Sequence, residues 1–383
     1  MNYRTHIVSS LSEIGQEQWD ALVSAQDASQ TSANPFLSYA FLHALHESGS
    51  AAPETGWQPQ YIVLYDGEQL SAALPLYVKG HSYGEYVFDW AWADAYQRHG
   101  VEYYPKLLCA IPFTPVAGPR LMAVDDAARA ALVEVLVATQ GAAEVSSTHV
   151  LFPPEEQARQ LQEAGFMLRS GVQFHWLNGG YGTFEDFLAT LEQKKRKNIR
   201  AERRKVREAG VTMRRVRGRD ATDADWVLFN RCYRHTYKAH FSTPYLNLDF
   251  FRRIGASMPD NILLVIASRE GRDIAASLVI HNESTLFGRY WGELEHVPCL
   301  HFEAAYYQPL EFCIEQGIGA FEGGAQGEHK MARGFLPTRT WSAHWLAHPS
   351  FADAIERFLE RERGGIDDYL DELNERNPFR IGR

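Results

Sequence analysis

The densest group of side chains suited to chemistry lies in the segment Glu322–Lys330, which reads EGGAQGEHK. Three glycines within five residues allow the backbone to approach a ligand closely and to present N–H groups to an anion. Glu328 and His329 are candidates for proton transfer, and Lys330 and Arg333 place two cations beside the loop. The segment predicts an anion-facing site for acid–base chemistry. The alternative is a surface turn with incidental charges.

Polar and aromatic residues just upstream extend this candidate site. Glu303 lies at the start of a predicted helix in LHFEAAYY, where it is either a second candidate base or a residue that satisfies the helix dipole. The candidate ligand-binding residues here are Tyr290, Trp291, Gly324, Gln326 and Gly327. A separate stretch, 79–96, combines KGHSYGE with a run of aromatic residues, and its aromatics are either pocket lining or core filler.

The segment Lys194–Arg219 concentrates positive charge in an otherwise acidic chain. It holds thirteen Lys or Arg residues and two Glu residues, whereas the whole chain has a formal net charge of −10. Apolar residues at helical spacing predict a basic helix, which is either a solvated face or a surface for phosphate or RNA. Its candidate substrate-binding cations are Lys194, Lys195, Arg196, Lys197 and Arg200.

The elements that must position these residues repeat a common plan. Apolar runs around polar turns predict strand hairpins at 61–78 and 262–281, with a third strand at 285–291. Each half then offers a helix closed by glycine and followed by a strand, at 155–176 and at 303–322. This order predicts an α/β fold of mixed sheets with flanking helices.

The bulk properties limit the function classes. A length of 383 residues predicts two domains: 1–185, and 220–383 with a C-terminal helix capped by Ser350, joined by a basic helix and strand over 186–219. Phosphate-loop, HExxH and GxSxG patterns are absent, so the sequence favours neither an NTPase, a metalloprotease nor a nucleophile-elbow hydrolase, and we expect no metal. Without an apolar stretch long enough to span a bilayer, we expect a cytoplasmic protein.

Several motifs together resemble one known family. The segments that carry the resemblance are 84–94 (GEYVFDWAWAD), 104–108 (YPKLL), 112–115 (PFTP), 194–200 (KKRKNIR), 300–303 (LHFE), and 324–330 (GAQGEHK) with 333–335 (RGF). The chain resembles the FemAB-like branch of the GNAT superfamily, a peptidoglycan-biosynthesis-type family of bacterial acyltransferases. The resemblance implies two tandem GNAT-like (acyl-CoA N-acyltransferase) domains.

The resemblance also implies a reaction. In the related Fem transferases an aminoacyl-tRNA donates its amino acid to an amine of a peptidoglycan precursor, and a lysine near the C-terminus occupies the place of Lys330. We therefore expect acyl or aminoacyl transfer to a small-molecule or peptide amine, with Lys330 and Arg333 stabilising charge and Glu328 or Glu303 as base. No cofactor beyond an aminoacyl-tRNA or acyl-CoA donor is expected.

Two alternatives stay open. One is an acetyl-CoA-dependent N-acetyltransferase, although the pyrophosphate-binding pattern of such enzymes has no good copy in this sequence and Gln316–Phe321 comes closest. The other is a non-catalytic module that binds RNA or a cell-wall precursor. The binding module predicts that the protein keeps its function when Lys330 is lost. It also predicts that charge reversal over 194–200 abolishes that function.

Overall fold

The computed structural model describes residues 3–26, 33–325 and 327–380. Within these ranges the strands are β1 Arg4–Val8, β2 Trp57–Pro59, β3 Tyr61–Asp66, β4 Gln69–Leu74, β5 Leu76–Lys79, β6 Lys106–Cys109, β7 Met122–Ala123, β8 Ser147–Leu151, β9 Met167–Leu177, β10 Val211–Arg217, β11 Ile262–Arg269, β12 Arg272–His281, β13 Thr285–Glu293, β14 Ala320–Glu322 and β15 Leu336–Leu346. The helices are α1 Gln16–Ala25, α2 Tyr39–Glu47, α3 Trp90–Arg98, α4 Asp126–Ala142, α5 Glu155–Glu163, α6 Phe184–Thr190, α7 Gln193–Glu208, α8 Asp223–Ala239, α9 Leu248–Ser257, α10 Leu300–Phe302, α11 Gln308–Gln316 and α12 Pro349–Glu375.

The chain divides into two compact units that interleave in sequence. Unit 1 comprises Met1–Val172 and Arg339–Asp371, and unit 2 comprises Gln173–Thr338 and Glu372–Arg383. The sequence-based bounds at 185 and 219 treat the domains as consecutive halves. The difference arises because β15 pairs antiparallel with β8 in unit 1, a long-range contact that local patterns do not reveal.

Unit 1 contains two sets of paired strands. One is an antiparallel sheet in the order β1-β3-β4-β7, and the other runs β15-β8-β6-β5-β2 with a single parallel pair, β6 with β8. The apolar core lies between strand residues such as Ile62 and Val150 and the buried stripe of α4 at Leu132 and Leu136. Asp125 caps α4 by accepting from the N–H of Ala128.

The predicted hairpin at 61–78 is confirmed, but its second strand is divided. Gln69–Leu74 pairs with β3, whereas Leu76–Lys79 pairs with β2 and β6. Pro75 stands between the two strands and has no N–H to donate to a ladder, so the chain changes partners there.

Unit 2 is built on the strand order β10-β11-β12-β13-β14-β9, antiparallel throughout except for β13 with β14. The hairpin at 262–281 and the third strand at 285–291 are confirmed. Helix α8 lies closely on this sheet at Gly292, where an added Cβ would lie 2.0 Å from the Cys232 carbonyl oxygen. The basic segment forms α7 and β10 as predicted.

The C-terminal helix is present, but its predicted start is wrong by one residue. Helix α12 begins at Pro349, so Ser350 lies in its first turn instead of capping it. Proline is favoured at the first helical position because its missing N–H has no intrahelical partner there. Ile355 and Leu359 from this helix are buried with Tyr96 and Tyr103 in a second apolar cluster of unit 1.

Candidate active site

The candidate site lies where the parallel pair of strands in unit 2 stops. Residues Thr285–Phe287 of β13 pair with Ala320–Glu322 of β14, and β13 then continues to Glu293 while β14 ends. The glycine-rich loop begins directly after Glu322. The end of a strand in an α/β sheet is a common ligand-binding position because the chain turns away and leaves space beside the neighbouring strand.

Lys330 is a buried cation that folds back onto this loop. It is 2% exposed, and its ammonium donates a hydrogen bond of 2.9 Å to the Gly324 carbonyl. Burial lowers the pKa of Lys330 to about 8. Gly323 eases this approach, since an added Cβ there would crowd Lys330 Cδ and the Phe335 ring, each at 3.1 Å. The lysine is thus held in place by the loop and titrates near neutral pH.

Glu322 and His175 are two further titratable groups at the strand end, each with a side chain that is 15% exposed. They face each other in the β14–β9 register, and His175 Nε2 lies 3.9 Å from Glu322 Oε2. Oε2 is buried and has no hydrogen-bond partner among the residues that the structure describes. Burial raises the pKa of Glu322 to about 8, against an opposing effect of Arg289, and burial lowers the pKa of His175 to about 4, assisted by Lys330. A carboxyl group poised near neutral pH is suited to proton transfer.

The two carboxylates selected from the sequence are engaged in ion pairs. Glu303 is buried and accepts two hydrogen bonds from Arg203, at 2.9 and 3.0 Å, and one from Gln308. Glu328 is about half exposed and pairs with Arg376 at 3.1 Å. Glu303 is therefore part of a structural ion pair, and Glu328 lies at the surface.

Arg333 links two elements of unit 2, and its charge is paired with a carboxylate. Its guanidinium donates to both carboxylate oxygens of Glu202 on α7 and to the His329 carbonyl, and it lies 3.4 Å from the centre of the Phe302 ring. Tyr307 also donates to Glu202. These contacts attach α7 to the Glu328–Arg333 turn, a 3-10 helix that carries Lys330.

The remaining predicted ligand-binding residues that the structure describes outside α7 lie on β13 and in the glycine-rich loop. Tyr290 and Trp291 are half-buried on β13; Tyr290 packs on Tyr233, and Trp291 packs on His301. Gly324 and Gly327 belong to the loop, and both have positive φ, at 85° and 115°. Gln326 lies outside the described residues.

Only part of the positive charge on helix α7 is paired with carboxylates. Arg203 pairs with Glu303 and Glu311, Arg200 pairs with Glu185, and Arg196 donates to a backbone carbonyl. No carboxylate partner is found among the described residues for Lys194, Lys195, Lys197, Lys205 and Arg207. On β10, Arg214 and Arg215 bind carboxylates, whereas Arg217 donates to the side-chain oxygen of Gln316. Most of the positive charge of the basic segment that has no carboxylate partner among the described residues therefore lies on α7.

Sequence reasoning missed Glu322 and His175 as a pair. Glu322 opens the segment that the glycine pattern singled out, but the pattern drew attention to the charges after the loop. The two residues are brought together by strand register, for which their sequence separation gives no signal.

Comparison with known proteins assigns the chain to a family. The family model described as peptidoglycan biosynthesis/recognition, FemAB-like, matches residues 10–381. The chain belongs to the FemAB-like family. The resemblance seen in the motifs is thereby confirmed, and family and fold together indicate an acyltransferase of the GNAT/Fem type. Comparison with curated protein sequences gives no significant match.

Solved structures show the same fold at low sequence identity. The crystal structure of FemX is 11% identical, with a TM-score of 0.56, covering 92% of this chain and 100% of that chain. The structure of L-PGS from Bacillus licheniformis is 11% identical, with a TM-score of 0.54, covering 90% of this chain and 97% of that one. The predicted fold class, a tandem GNAT-like α/β protein, is confirmed.

Neither a membrane-spanning helix nor a metal cluster occurs in the part of the chain that the structure describes. None of the helices in ranges 3–26, 33–325 and 327–380 is long and apolar enough to cross a membrane. In the same part of the chain, no group of three or more His, Cys, Asp and Glu side chains is arranged to hold a metal ion.

Proposed function

We propose that unit 2 transfers an acyl or aminoacyl group to an amine at the end of β14. The observation that carries the proposal is the geometry at the strand end: Glu322 keeps a buried oxygen without a donor among the described residues, and the buried Lys330 ammonium is held on the adjoining glycine-rich loop. Burial brings the pKa of both groups to about 8. Functional sites are where burial moves pKa values toward the working pH. Family membership supports the same class of reaction.

In the proposed reaction the amine nitrogen attacks the acyl carbonyl carbon of the donor. Glu322 in its ionised form accepts the proton that the attacking nitrogen must lose, and Lys330 stabilises the negative charge that develops on the carbonyl oxygen. The carbon–oxygen or carbon–sulfur bond of the donor then breaks, and its leaving group takes up a proton. Glu322 replaces Glu328 and Glu303 as the base in this proposal because both of those carboxylates are held in ion pairs.

The open cations of α7 support a donor that carries phosphate. Lys194, Lys195 and Lys197 are the first three of them along the helix. An aminoacyl-tRNA suits such a surface because its backbone phosphates would be neutralised along the helix. We therefore propose aminoacyl-tRNA as donor and a peptide or small-molecule amine related to cell-wall precursors as acceptor. An acyl-CoA donor is the alternative.

The test begins with donor binding and ends with product. Charged tRNA and acetyl-CoA are compared by thermal shift, since a ligand that binds only the native protein raises its melting temperature. The donor that stabilises the protein is then incubated with a peptide amine acceptor, and the amide product is measured by mass spectrometry. The expected result is product from the wild type and a large loss in Glu322→Gln and Lys330→Ala.

A matched control is Glu315→Gln, which removes a surface carboxylate of unit 2 that pairs with Arg215. This variant should keep wild-type turnover. Product formation at the wild-type rate by both site variants would contradict the proposal. Binding of a donor with no product from any acceptor amine would favour the non-catalytic alternative.

A further inference from the structure

Unit 1 contains a buried cluster of charged side chains that the proposed reaction does not use. Strands β5 and β6 are adjacent and antiparallel, an arrangement that a turn of two residues is able to connect. Here the connection is instead residues 80–105, which include α3. Side chains of this connection reach back to Lys106 on β6.

The strands beneath this connection place two buried lysines side by side. Lys79 and Lys106 are direct partners in the β5–β6 register, and both are fully buried. Like charges at directly opposite positions are destabilising, and burying each ammonium costs further free energy. Replacing buried charges by well-packed apolar residues is often neutral or stabilising, so the charged pair indicates a role other than packing.

The connection supplies carboxylates to one of these lysines. The Lys106 ammonium donates to Glu85 Oε2 at 2.8 Å, to Asp89 Oδ2 at 2.5 Å and to Ser82 Oγ at 2.7 Å. Lys79 instead donates to the Tyr83 carbonyl and lies 3.8 Å from the centre of the Trp57 ring. Two carboxylates therefore share one ammonium as their hydrogen-bonded cation.

The second oxygen of each carboxylate is left without a donor. Glu85 Oε1 and Asp89 Oδ1 are buried and have no hydrogen-bond partner among the described residues, and the two side chains are only 2% and 4% exposed. Buried carboxylate oxygens in proteins are nearly always hydrogen-bonded. Two such oxygens on neighbouring carboxylates point to a ligand that brings hydrogen-bond donors.

Further polar side chains extend the cluster beyond the two carboxylates. Tyr103 donates to Asp89 Oδ2 at 2.7 Å and lies 3.2 Å from His149 Nε2. His149 and His344 are register partners with their Nδ1 atoms 2.8 Å apart. Burial lowers the pKa of His149 to about 3, so this histidine adds no positive charge to balance the carboxylates.

Aromatic rings of the same connection are exposed at the surface. Tyr83 and Phe88 are each 57% exposed and Trp90 is 42% exposed, and the rings of Tyr83 and Trp90 lie 5.0 Å apart. Exposed aromatic faces attract organic cations through their ring quadrupoles. The carboxylate oxygens without donors suit the ammonium group of a ligand, and the exposed rings suit the organic chain that carries it.

We propose that the connection 80–105 and the sheet face below it form a second ligand site, which takes a compound carrying a primary ammonium group. The ammonium donates to Glu85 Oε1 and Asp89 Oδ1, and the organic part of the ligand lies against Tyr83 and Trp90. This site stands independently of the transferase proposal because all of its residues belong to unit 1.

The charge states of the cluster are compatible with a cationic ligand. The Lys106 ammonium lowers the pKa of Asp89 against the effect of burial, so this carboxylate is ionised at neutral pH. Burial lowers the pKa of Lys79 to about 7 and raises that of Glu85 to about 7. A bound ammonium would favour the ionised form of Glu85 and the neutral form of Lys79.

The probe is n-butylammonium chloride, measured by ligand-observed saturation-transfer NMR on the full chain at constant ionic strength. The matched probe is n-butanol, which has the same chain without the charge. We expect saturable binding of the amine below about 100 mM, a range that covers a millimolar dissociation constant. Glu85→Gln should weaken binding about tenfold or more, because a charge-assisted hydrogen bond is lost.

The control variant is Glu362→Gln, which removes a unit 1 carboxylate that pairs with Arg169 and should leave amine binding unchanged. Trp90→Ala should weaken binding by about threefold while leaving the carboxylates in place. Equal binding of n-butanol, wild-type affinity in Glu85→Gln, or no saturation would each overturn the proposal. Circular dichroism of Glu85→Gln confirms that the variant is folded.

Discussion

Replacing the largely buried carboxyl at the end of β14 tests the candidate site without knowledge of any substrate. In Glu322→Gln the side chain keeps its size but no longer titrates. The side chain is 15% exposed, and burial raises its pKa from 4.5 to about 8. Between these two values the unfolded chain releases the proton while the folded protein retains it, so the wild type loses stability as pH rises.

The magnitude follows from the difference between the two pKa values. Each pKa unit corresponds to about 1.36 kcal/mol, so the wild type loses about 3–4 kcal/mol between pH 5 and pH 9 through this one group. Glutamine avoids this loss. The stability of Glu322→Gln relative to the wild type should therefore rise by about 3–4 kcal/mol over the same interval.

The assay is urea unfolding of both proteins at several pH values from 5 to 9. The control is Glu315→Gln, whose surface pair should give a difference of no more than about 1 kcal/mol at every pH. A difference between Glu322→Gln and the wild type that does not change with pH would refute the raised pKa. It would also remove the reason for choosing this carboxyl as the base.

Three further predictions concern the same unit. Lys330→Ala should lower the initial rate of amide formation by about 10²-fold or more, as expected for loss of an oxyanion-stabilising group, and an unchanged rate would contradict that role. Arg203→Ala should cost about 3 kcal/mol in urea unfolding, because the buried carboxylate that it binds loses its partner; a change below about 1 kcal/mol would show that the ion pair is not structural. Replacing Lys194, Lys195 and Lys197 together by glutamine should reduce the slope of log K against log salt for tRNA binding by about two, and an unchanged slope would place the tRNA elsewhere.

The sequence predicts those parts of the fold that depend on neighbouring residues. The hairpin of β11 and β12 is marked by apolar runs around a polar turn, and the end of α11 is marked by Gly317, which has a φ of 70°. Both signals are local. The position of residues 339–371 in unit 1 was not predicted, because it depends on the pairing of β15 with β8.

The candidate site shows the same limit at the level of single residues. The glycine pattern led to the loop that contains Lys330, but the roles of the nearby charges depended on partners far away in sequence. Glu303 is bound by Arg203, whereas Glu322 faces His175 and keeps an oxygen without a donor. Charge and spacing along the chain do not distinguish a carboxylate that is paired from one that is not.

The unit 1 cluster was missed for a related reason. The stretch around Glu85 and Asp89 is rich in aromatic residues, a composition that core packing also explains. Only the register of Lys79 with Lys106 shows that the connection covers two buried cations. The pairing of the strands reveals the buried charges, whereas the amino-acid composition does not.

The central claim is that the end of β14 catalyses the transfer of an acyl group to an amine. Its most direct test is the single-turnover rate of amide formation by the wild type and by Glu322→Gln as a function of pH, with the donor that thermal shift identifies. The account predicts a bell-shaped wild-type profile with its maximum near pH 8, because Glu322 must be ionised and Lys330 must be protonated, and a rate in Glu322→Gln that is at least about 10²-fold lower. Equal rates with the same pH dependence in both proteins would contradict it.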